Sequence, residues 1–148
     1  MLTETLETLF TRDLNRLKKE IELYQNEKSI WIVDKEISNS SGNLCLHLIG
    51  NLNAYIGATL GNTDYIRNRE LEFSLKDIPK AELIRNIEDT ILVVQNSIRN
   101  LNNQDLEAEY PIIVFKEAMS TEFFLVHLSS HLSYHLGQIN YHRRLLDK

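Results

Sequence analysis

Apolar residues recur every three or four positions in four long segments of the chain. This spacing lines up side chains along one face of an α-helix, and that face is then buried against a neighbouring element. Four such segments predict an all-α protein, arranged as an antiparallel four-helix bundle with long connections after helix 2 and between helices 3 and 4. The segments cover about residues 3–25, 42–57, 80–101 and 120–146.

The clearest apolar stripes lie in the first and third segments. They consist of Leu6, Phe10, Leu14, Leu17, Ile21 and Tyr24, and of Leu83, Ile84, Ile87, Ile91, Val94 and Ile98. The chain has only two prolines and five glycines, which favours long helices over a turn-rich sheet. At 148 residues the chain is expected to form a single domain, residues 1–148.

The two long connections are candidates for further structure or function. One spans about residues 61–79, and the other separates the third helix from Ser120, which can cap the fourth. Connections of this length in a compact domain usually carry a function or a short element of their own. The stretch "PIIVF", residues 111–115, could form a short extended piece.

Charge and composition exclude several classes of protein. The net charge of -5 argues against a nucleic-acid partner, because phosphate binding requires clustered Lys and Arg. The first ten residues carry acidic side chains and no basic stretch before an apolar block, unlike a signal peptide. No apolar run is long enough to cross a bilayer, and the single Cys45 cannot form an internal disulfide. We therefore expect a cytoplasmic protein without a membrane partner.

Histidines cluster near the C-terminus. Four of the five lie between residues 127 and 142, and three of these, His127, His131 and His135, are spaced four apart. Residues four apart on a helix differ by about 40° in direction and about 6 Å in height, so two such histidines can bind one metal ion. The outer two are about 12 Å apart along the axis, too far for metal–nitrogen bonds of about 2.1 Å. One helix therefore supplies a pair, either His127 with His131 or His131 with His135.

A third ligand must come from another helix. The only histidine outside the last helix is His47, in the second helix. The interior of a helical bundle brings inward-facing residues of different helices within reach of one ion. The alternative is a buried polar seam without a metal, with His47 as a hydrogen-bonded core residue. The spacing favours a three-histidine metal site.

The stretch "HLSYHLGQINYHRR" resembles the last helix of the DinB superfamily of metal-binding four-helix bundles. The pattern of that family is one histidine on the second helix, then His-x-x-x-His followed by x-Gly-Gln on the last helix. Here these are His47, His131, His135 and the Gly137-Gln138 pair. The blocks "HLIGNLNAYIGATLGNTDYIRNRELEFS" and "STEFFLVHLSSHLSYHLGQINYHRRL" look like a branch of small uncharacterised bacterial proteins, and together they cover over a third of the chain.

The resemblance implies which pair binds and what the site does. The ligand before x-Gly-Gln is His135, so its partner is His131, and His127 is left to line the pocket or to pack beside it. The better-known branches imply transfer of a low-molecular-weight thiol, other relatives look like metal-dependent hydrolases, and relatives look dimeric. We therefore expect a homodimeric, metal-dependent transferase that activates a low-molecular-weight thiol or water for a small-molecule substrate. The alternative is a non-catalytic metal-binding or interaction bundle.

The ligand set predicts an open site for Zn²⁺ or Ni²⁺, since imidazole suits both ions. A closed structural zinc site would need a fourth protein ligand, usually a thiolate. Cys45 lies two residues from His47 and so points about 200° away around the helix, out of reach. His142, seven residues past His135, is not expected to bind either.

Two amides are candidates for the surroundings of the ion. Asn51 lies one turn after His47, and Gln138 follows the second ligand of the last helix. A metal-bound histidine needs an acceptor for its other ring nitrogen, and an amide oxygen can be that acceptor. We therefore expect Asn51 and Gln138 to lie beside the ligands or in the pocket.

Two arginines in the first long connection are candidates for binding an anion. Arg67 and Arg69 could bind a carboxylate or the thiol cofactor by paired hydrogen bonds. Their alternative role is to pair with Glu70 or Glu72 and to fasten the long loop.

Overall fold

The computed structural model describes residues 1–148, and the chain is all-α without strands. Four long helices are present where the apolar pattern predicts them, and three short helices lie between them. The helices are α1 (Leu2–Leu23), α2 (Ser41–Leu52), α3 (Thr59–Gly61), α4 (Arg69–Ser74), α5 (Lys80–Arg99), α6 (Asn103–Glu107) and α7 (Thr121–Leu146). A 3₁₀ helix (Glu27–Trp31) precedes α2, and a π-helical turn (Asn53–Ala58) joins α2 to α3.

Capping side chains mark the beginnings of α2 and α7. Ser40 Oγ accepts a hydrogen bond from the backbone N–H of Asn43 at 3.2 Å, and α2 begins at the next residue. Ser120 Oγ accepts from the N–H of Phe123 at 3.1 Å, so the predicted cap of α7 is confirmed. Each cap satisfies one of the N–H groups that a helix N-terminus leaves without a partner.

Short helices occupy both long connections. The first contains α4, and the second contains α6, which begins with a capping box between Asn102 and Asp105. The extended piece suggested for residues 111–115 is not a strand. A strand needs a neighbouring strand to hydrogen-bond with, and the only bridge of the chain joins Glu109 to Ser120.

The apolar stripes form one core of 24 buried residues. All six residues of the stripe in α1 and at its end are buried, whereas in the stripe of α5 Ile84 and Ile91 are only partly buried. α1 packs against α5 and α7, and α2 packs against α4, α5 and α7. No helix of the chain has both the length and the apolar composition needed to cross a membrane.

The contact between α2 and α7 changes character along its length. Near the beginning of α7 the contact is apolar and involves the π-helical turn that follows α2, with the rings of Tyr55 and Phe124 5.1 Å apart between centroids. Two turns further along α7 the facing side chains are His47 and His131, 5.1 Å apart. The histidine cluster therefore lies where two helices of the core pack together.

Candidate metal centre

The three histidines predicted as ligands converge between α2 and α7. His131 Nε2 lies 3.2 Å from His47 Nε2 and 3.1 Å from His135 Nε2. One ring nitrogen of each residue lies within 4.8 Å of the other two. Two nitrogens bound tetrahedrally to one ion at about 2.1 Å are about 3.4 Å apart, which is close to the two observed distances. The three histidines could therefore hold a metal ion.

Glu72 of α4 fixes the tautomer of His47. Its Oε1 lies 3.0 Å from His47 Nδ1, and Arg67 donates two hydrogen bonds of 2.9 Å to the same carboxylate. Burial raises the pKa of Glu72, but the hydrogen bonds from His47 and Arg67 outweigh burial and leave that pKa below its ordinary value. Glu72 is therefore ionised and accepts the proton of His47 Nδ1, so His47 Nε2 presents its lone pair to the cluster.

Arg67 also approaches His47 directly, with its Nη2 3.3 Å from Nδ1. An Nδ1 that carries a proton cannot accept from a guanidinium. Because the contact of His47 with Glu72 is shorter and charge-assisted, the carboxylate decides the tautomer.

Gly50 allows Glu72 to come this close to α2. A Cβ at position 50 would lie 1.9 Å from Glu72 Oε2, so any other residue would displace the carboxylate. From the sequence, Glu72 was expected only as a partner of Arg67 or Arg69, and its contact with His47, 25 residues away, was not predicted. The available signal was Gly50 itself, since a glycine inside a helix costs about 1 kcal/mol relative to alanine and often marks a close approach.

Gln138 orients His135 in the same way. His135 Nδ1 lies 2.7 Å from Gln138 Oε1. An amide oxygen can only accept, so the proton of His135 is on Nδ1 and its Nε2 presents a lone pair. The two residues lie on neighbouring positions of one helix face, three residues apart. Gln138 therefore lies beside His135, where it was predicted.

Burial keeps His131 and His135 neutral. Burial, assisted by the nearby imidazoles of His135 and His47, lowers the pKa of His131 to about 4. Burial also lowers the pKa of His135, although its hydrogen bond with Gln138 acts in the opposite direction. The neutral imidazole is the form that binds metal ions.

The three neutral imidazoles do not have enough ring protons to form hydrogen bonds at both short contacts of His131 Nε2. His47 and His135 each turn an unprotonated Nε2 toward His131 Nε2. If His131 carries its proton on Nε2, it can donate that proton to one neighbour only, and the other nitrogen faces it without a hydrogen bond. If the proton is on Nδ1, that atom is buried without any partner. A cation between the three Nε2 atoms would stabilise all three lone pairs.

His127 lies beside the cluster and outside it. Its ring stacks on Phe124, with centroids 5.9 Å apart, and meets the edge of Phe115 at 5.0 Å. The ring centroid of His131 is 6.3 Å away. His127 therefore packs next to the site, and Phe115 of the stretch 111–115 covers it.

The two candidate anion-binding arginines each contact a different side chain of α4. Arg67 is bound to Glu72, which is the alternative partner that the sequence suggested. Arg69 lies over the ring of Phe73, with its Cζ 5.2 Å from the ring centroid. Arg67 thus fastens the long connection to α4 through the carboxylate of Glu72, five residues further along the chain.

Cys45 and His142 take no part in the cluster. Cys45 is fully buried, and burial raises the pKa of its thiol to about 12. His142 Nε2 donates to the backbone oxygen of Ile32 at 2.8 Å, and the Tyr24 hydroxyl lies 2.6 Å from its Nδ1. Burial lowers the pKa of His142, so this residue joins α7 to α1 as a neutral side chain.

Acid is expected to release a bound metal ion. Protons compete with the ion for the ring nitrogens, and a histidine whose pKa is lowered takes up its proton at a lower pH than an ordinary histidine, whose pKa is about 6.5. Because the pKa of His131 is about 4, the loss should extend from about pH 6 down to about pH 4. Metal content after dialysis at stepped pH measures this, and full retention at pH 4 would contradict ligation by imidazole.

These features define an all-α protein with a three-histidine group that could hold a metal ion. A family model with the description "Protein of unknown function (DUF1572)" matches residues 3–148. The chain therefore belongs to the DUF1572 family. A search of curated proteins found no match to the chain.

Proposed function

We propose that the protein binds a divalent metal ion through His47, His131 and His135 and acts as a metal-dependent transferase that activates a low-molecular-weight thiol or water. The observation that carries this proposal is the convergence of three Nε2 atoms. Two of the three histidines have their protons held on Nδ1, by Glu72 and by Gln138. Such outward acceptors are typical of metal-bound histidines.

The chain's own side chains fit an open metal centre. A divalent ion bound to neutral imidazoles would lower the pKa of a thiol or a water molecule that joins it. Cys45, the only thiol of the chain, is buried elsewhere in the core, so the protein adds no fourth sulfur ligand. Phe73 lies 5.0 Å from the ring of His47 and shields it from water. Zn²⁺ and Ni²⁺ are the proposed ions, because both bind imidazole well.

Asn51 is proposed to complete the surroundings of His131. Asn51 Oδ1 and His131 Nδ1 are both buried, and both lack a hydrogen-bond partner. One is an acceptor and the other becomes a donor when Nε2 binds an ion. Asn51 lies one helical turn after His47 and therefore keeps a free acceptor on the side of α2 that carries His47.

We further propose that α1, α2, α5 and α7 form a four-helix bundle of the DinB type. Contacts with opposite residue order support antiparallel pairing of α1 with α5 and of α2 with α7. They are Glu7–Arg99, Thr11–Gln95, Lys18–Glu88, His47–His131 and Tyr55–Phe124.

The pair α2 and α5 departs from a fully antiparallel order. Asn53 of the π-helical turn is bonded to Thr90, and Gly61 of α3 lies against Ser97, so residue numbers rise together along α5 and the helical continuation of α2. A long crossover connection allows two neighbouring helices of a bundle to run parallel. The predicted homodimer stays a prediction, which sedimentation equilibrium would test.

Titration of metal-free protein with Co²⁺, a spectroscopic substitute for Zn²⁺, tests metal binding. We expect one ion per chain, visible absorption bands of a low-coordinate site, and displacement by Zn²⁺. Neutral imidazoles converging on one point explain this expectation. Absence of stoichiometric binding at pH 7 would overturn the proposed metal centre.

Turnover separates a transferase from a non-catalytic metal-binding protein. The metal-loaded chain is to be incubated with several low-molecular-weight thiols and electrophilic acceptors, and thiol consumption is measured against the metal-free chain. Metal-dependent consumption is expected. Its absence across the panel, together with retained Co²⁺ binding, would leave a metal-binding protein without the proposed activity.

A further inference from the structure

A cavity of about 770 Å³ lies between the segment 34–39 and the C-terminal half of α7. Pockets for small molecules typically have volumes of about 300–1,000 Å³. Both His135 and Gln138 line this cavity, so it borders one of the three histidines of the candidate metal centre. A second cavity, of about 400 Å³, borders Glu72 but none of the three histidines. Only the larger of these two cavities gives a bound molecule access to a metal ligand.

The cavity extends along α7, which forms one of its walls. His135, Gln138, His142 and Leu145 recur at spacings of three and four, which places them along one face of the helix. From His135 to Leu145 this wall measures about 15 Å, at 1.5 Å per residue. The opposite wall comes from the segment 34–39. A bound molecule would therefore lie along α7, with one end at His135.

On the α7 wall of the cavity, a hydrogen-bonding amide lies near His135 and apolar side chains follow it. At the end near His135, Gln138 uses its amide oxygen to accept from His135, so its amide nitrogen is left to donate to a ligand. Further along α7, Tyr141 and Leu145 line the cavity, whereas the opposite segment 34–39 contributes Ile37 among polar and charged residues. The α7 wall thus changes from a hydrogen-bonding end at Gln138 to apolar side chains at Tyr141 and Leu145.

The buried wall of the cavity is held in place. His142 lines the cavity, and it is bonded to Tyr24 of α1 and to the backbone of Ile32. Tyr24 also lies 2.8 Å from Ser41 of α2. These bonds join three elements at the buried wall, so the α7 side of the cavity is held in place without a ligand.

We propose that this cavity is the substrate pocket of the proposed metal centre and that it takes an elongated amphipathic small molecule. The head group of this molecule carries an oxygen, nitrogen or sulfur ligand for the ion and accepts a hydrogen bond from Gln138. Its apolar body lies against Tyr141 and Leu145. The position of the head group rests on the proposed function, whereas the contact of the apolar body depends on the cavity alone.

Two hydroxamates that differ only in chain length test the pocket. The Co²⁺-loaded protein is titrated with acetohydroxamate and with octanohydroxamate, and changes in the Co²⁺ absorption bands report binding. We expect the longer probe to bind at least about 10-fold more tightly, because each buried methylene strengthens binding several-fold. Equal affinities for the two probes would overturn the pocket.

Variants locate the bound chain. Tyr141→Ser and Leu145→Ser should remove most of the advantage of octanohydroxamate and leave acetohydroxamate binding unchanged. Phe123→Ser, at an exposed apolar position of α7 that does not line the cavity, is the matched control and should change neither affinity. An equal loss of octanohydroxamate binding in Phe123→Ser would indicate unspecific binding to apolar surface and would contradict the pocket.

A second measurement keeps the pocket testable if Co²⁺ does not bind. Amide chemical shifts of the metal-free protein are recorded with and without octanohydroxamate. Shifts are expected in the segment 34–39 and around Tyr141, because those backbones border the apolar part of the cavity. Absence of shifts there would overturn the pocket, whereas failure of Co²⁺ binding with these shifts present would overturn only the proposed metal centre.

Discussion

His131→Ala is expected to weaken the binding of Co²⁺ or Zn²⁺ by more than about 100-fold, since loss of a direct ligand should exceed the cost of about 10- to 100-fold for losing an outer partner. His131 Nε2 is the central atom of the cluster, 3.2 Å and 3.1 Å from the other two ring nitrogens. Its replacement leaves two ligands on different helices. Competition with a chromophoric chelator of known affinity measures the change.

His127→Ala is the matched control for this experiment. His127 lies one helical turn before His131 on the same helix, is also half-buried, and packs on Phe115 and Phe124 outside the cluster. Metal affinity should be unchanged in this variant, although its thermal stability can fall because aromatic contacts are lost. Equal losses of affinity in both variants would contradict the choice of His131 with His135 as the pair supplied by α7.

Gly50→Ala is expected to lower the free energy of unfolding by about 3 kcal/mol, as breaking a buried ion pair typically does. The added Cβ would meet Glu72 Oε2 at 1.9 Å and force the carboxylate away from Arg67 and His47. His47 would then lose the acceptor that fixes its tautomer, so metal affinity should fall by about 10- to 100-fold as well. Chemical denaturation and the chelator competition measure the two effects.

Gly137→Ala is the control for the intrinsic preference of a helix for alanine. Gly137 lies within α7, and a Cβ there would have no neighbouring atom within 4 Å. This variant should therefore be stabilised by about 1 kcal/mol. If Gly50→Ala were stabilised to the same extent, Glu72 would not lie against α2 as described.

Glu72→Gln tests the role of Glu72 beside His47 even if Gly50→Ala does not fold. The amide retains the shape of the side chain and can still accept from His47, but it lacks the charge that pairs with Arg67. We expect a folded protein whose metal affinity is reduced by about 10-fold, as for other changes next to metal ligands. An affinity equal to that of the unchanged protein would exclude Glu72 from the metal centre.

The helices were predictable because their signal is local. Each residue of the stripe from Leu6 to Tyr24 is buried as the spacing required. Errors appear where a neighbour decides the conformation. The second helix, predicted to end near residue 57, continues through a π-helical turn to Gly61, where Asn62 takes a left-handed conformation. The stretch 111–115 has the composition of a strand but no second strand to pair with.

The histidines of the candidate metal centre were predictable to different extents. Two histidines four residues apart on one helix must lie near each other, so local geometry limited the choice to two adjacent pairs of the three histidines spaced four apart. Gln138 follows from the same local geometry, three residues after His135. His47 could be proposed only because no other histidine lies outside the last helix.

The sequence alone therefore determined the helical class, the spacing of His131 and His135, and the absence of a thiol ligand beside them. Only the tertiary structure decided that Glu72 reaches His47 through the space left at Gly50 and that a cavity along α7 opens at His135. The physical reason is the separation along the chain of the residues that interact. Helix geometry relates residues a few positions apart, whereas the partner of His47 and the shape of the cavity depend on how separate helices pack.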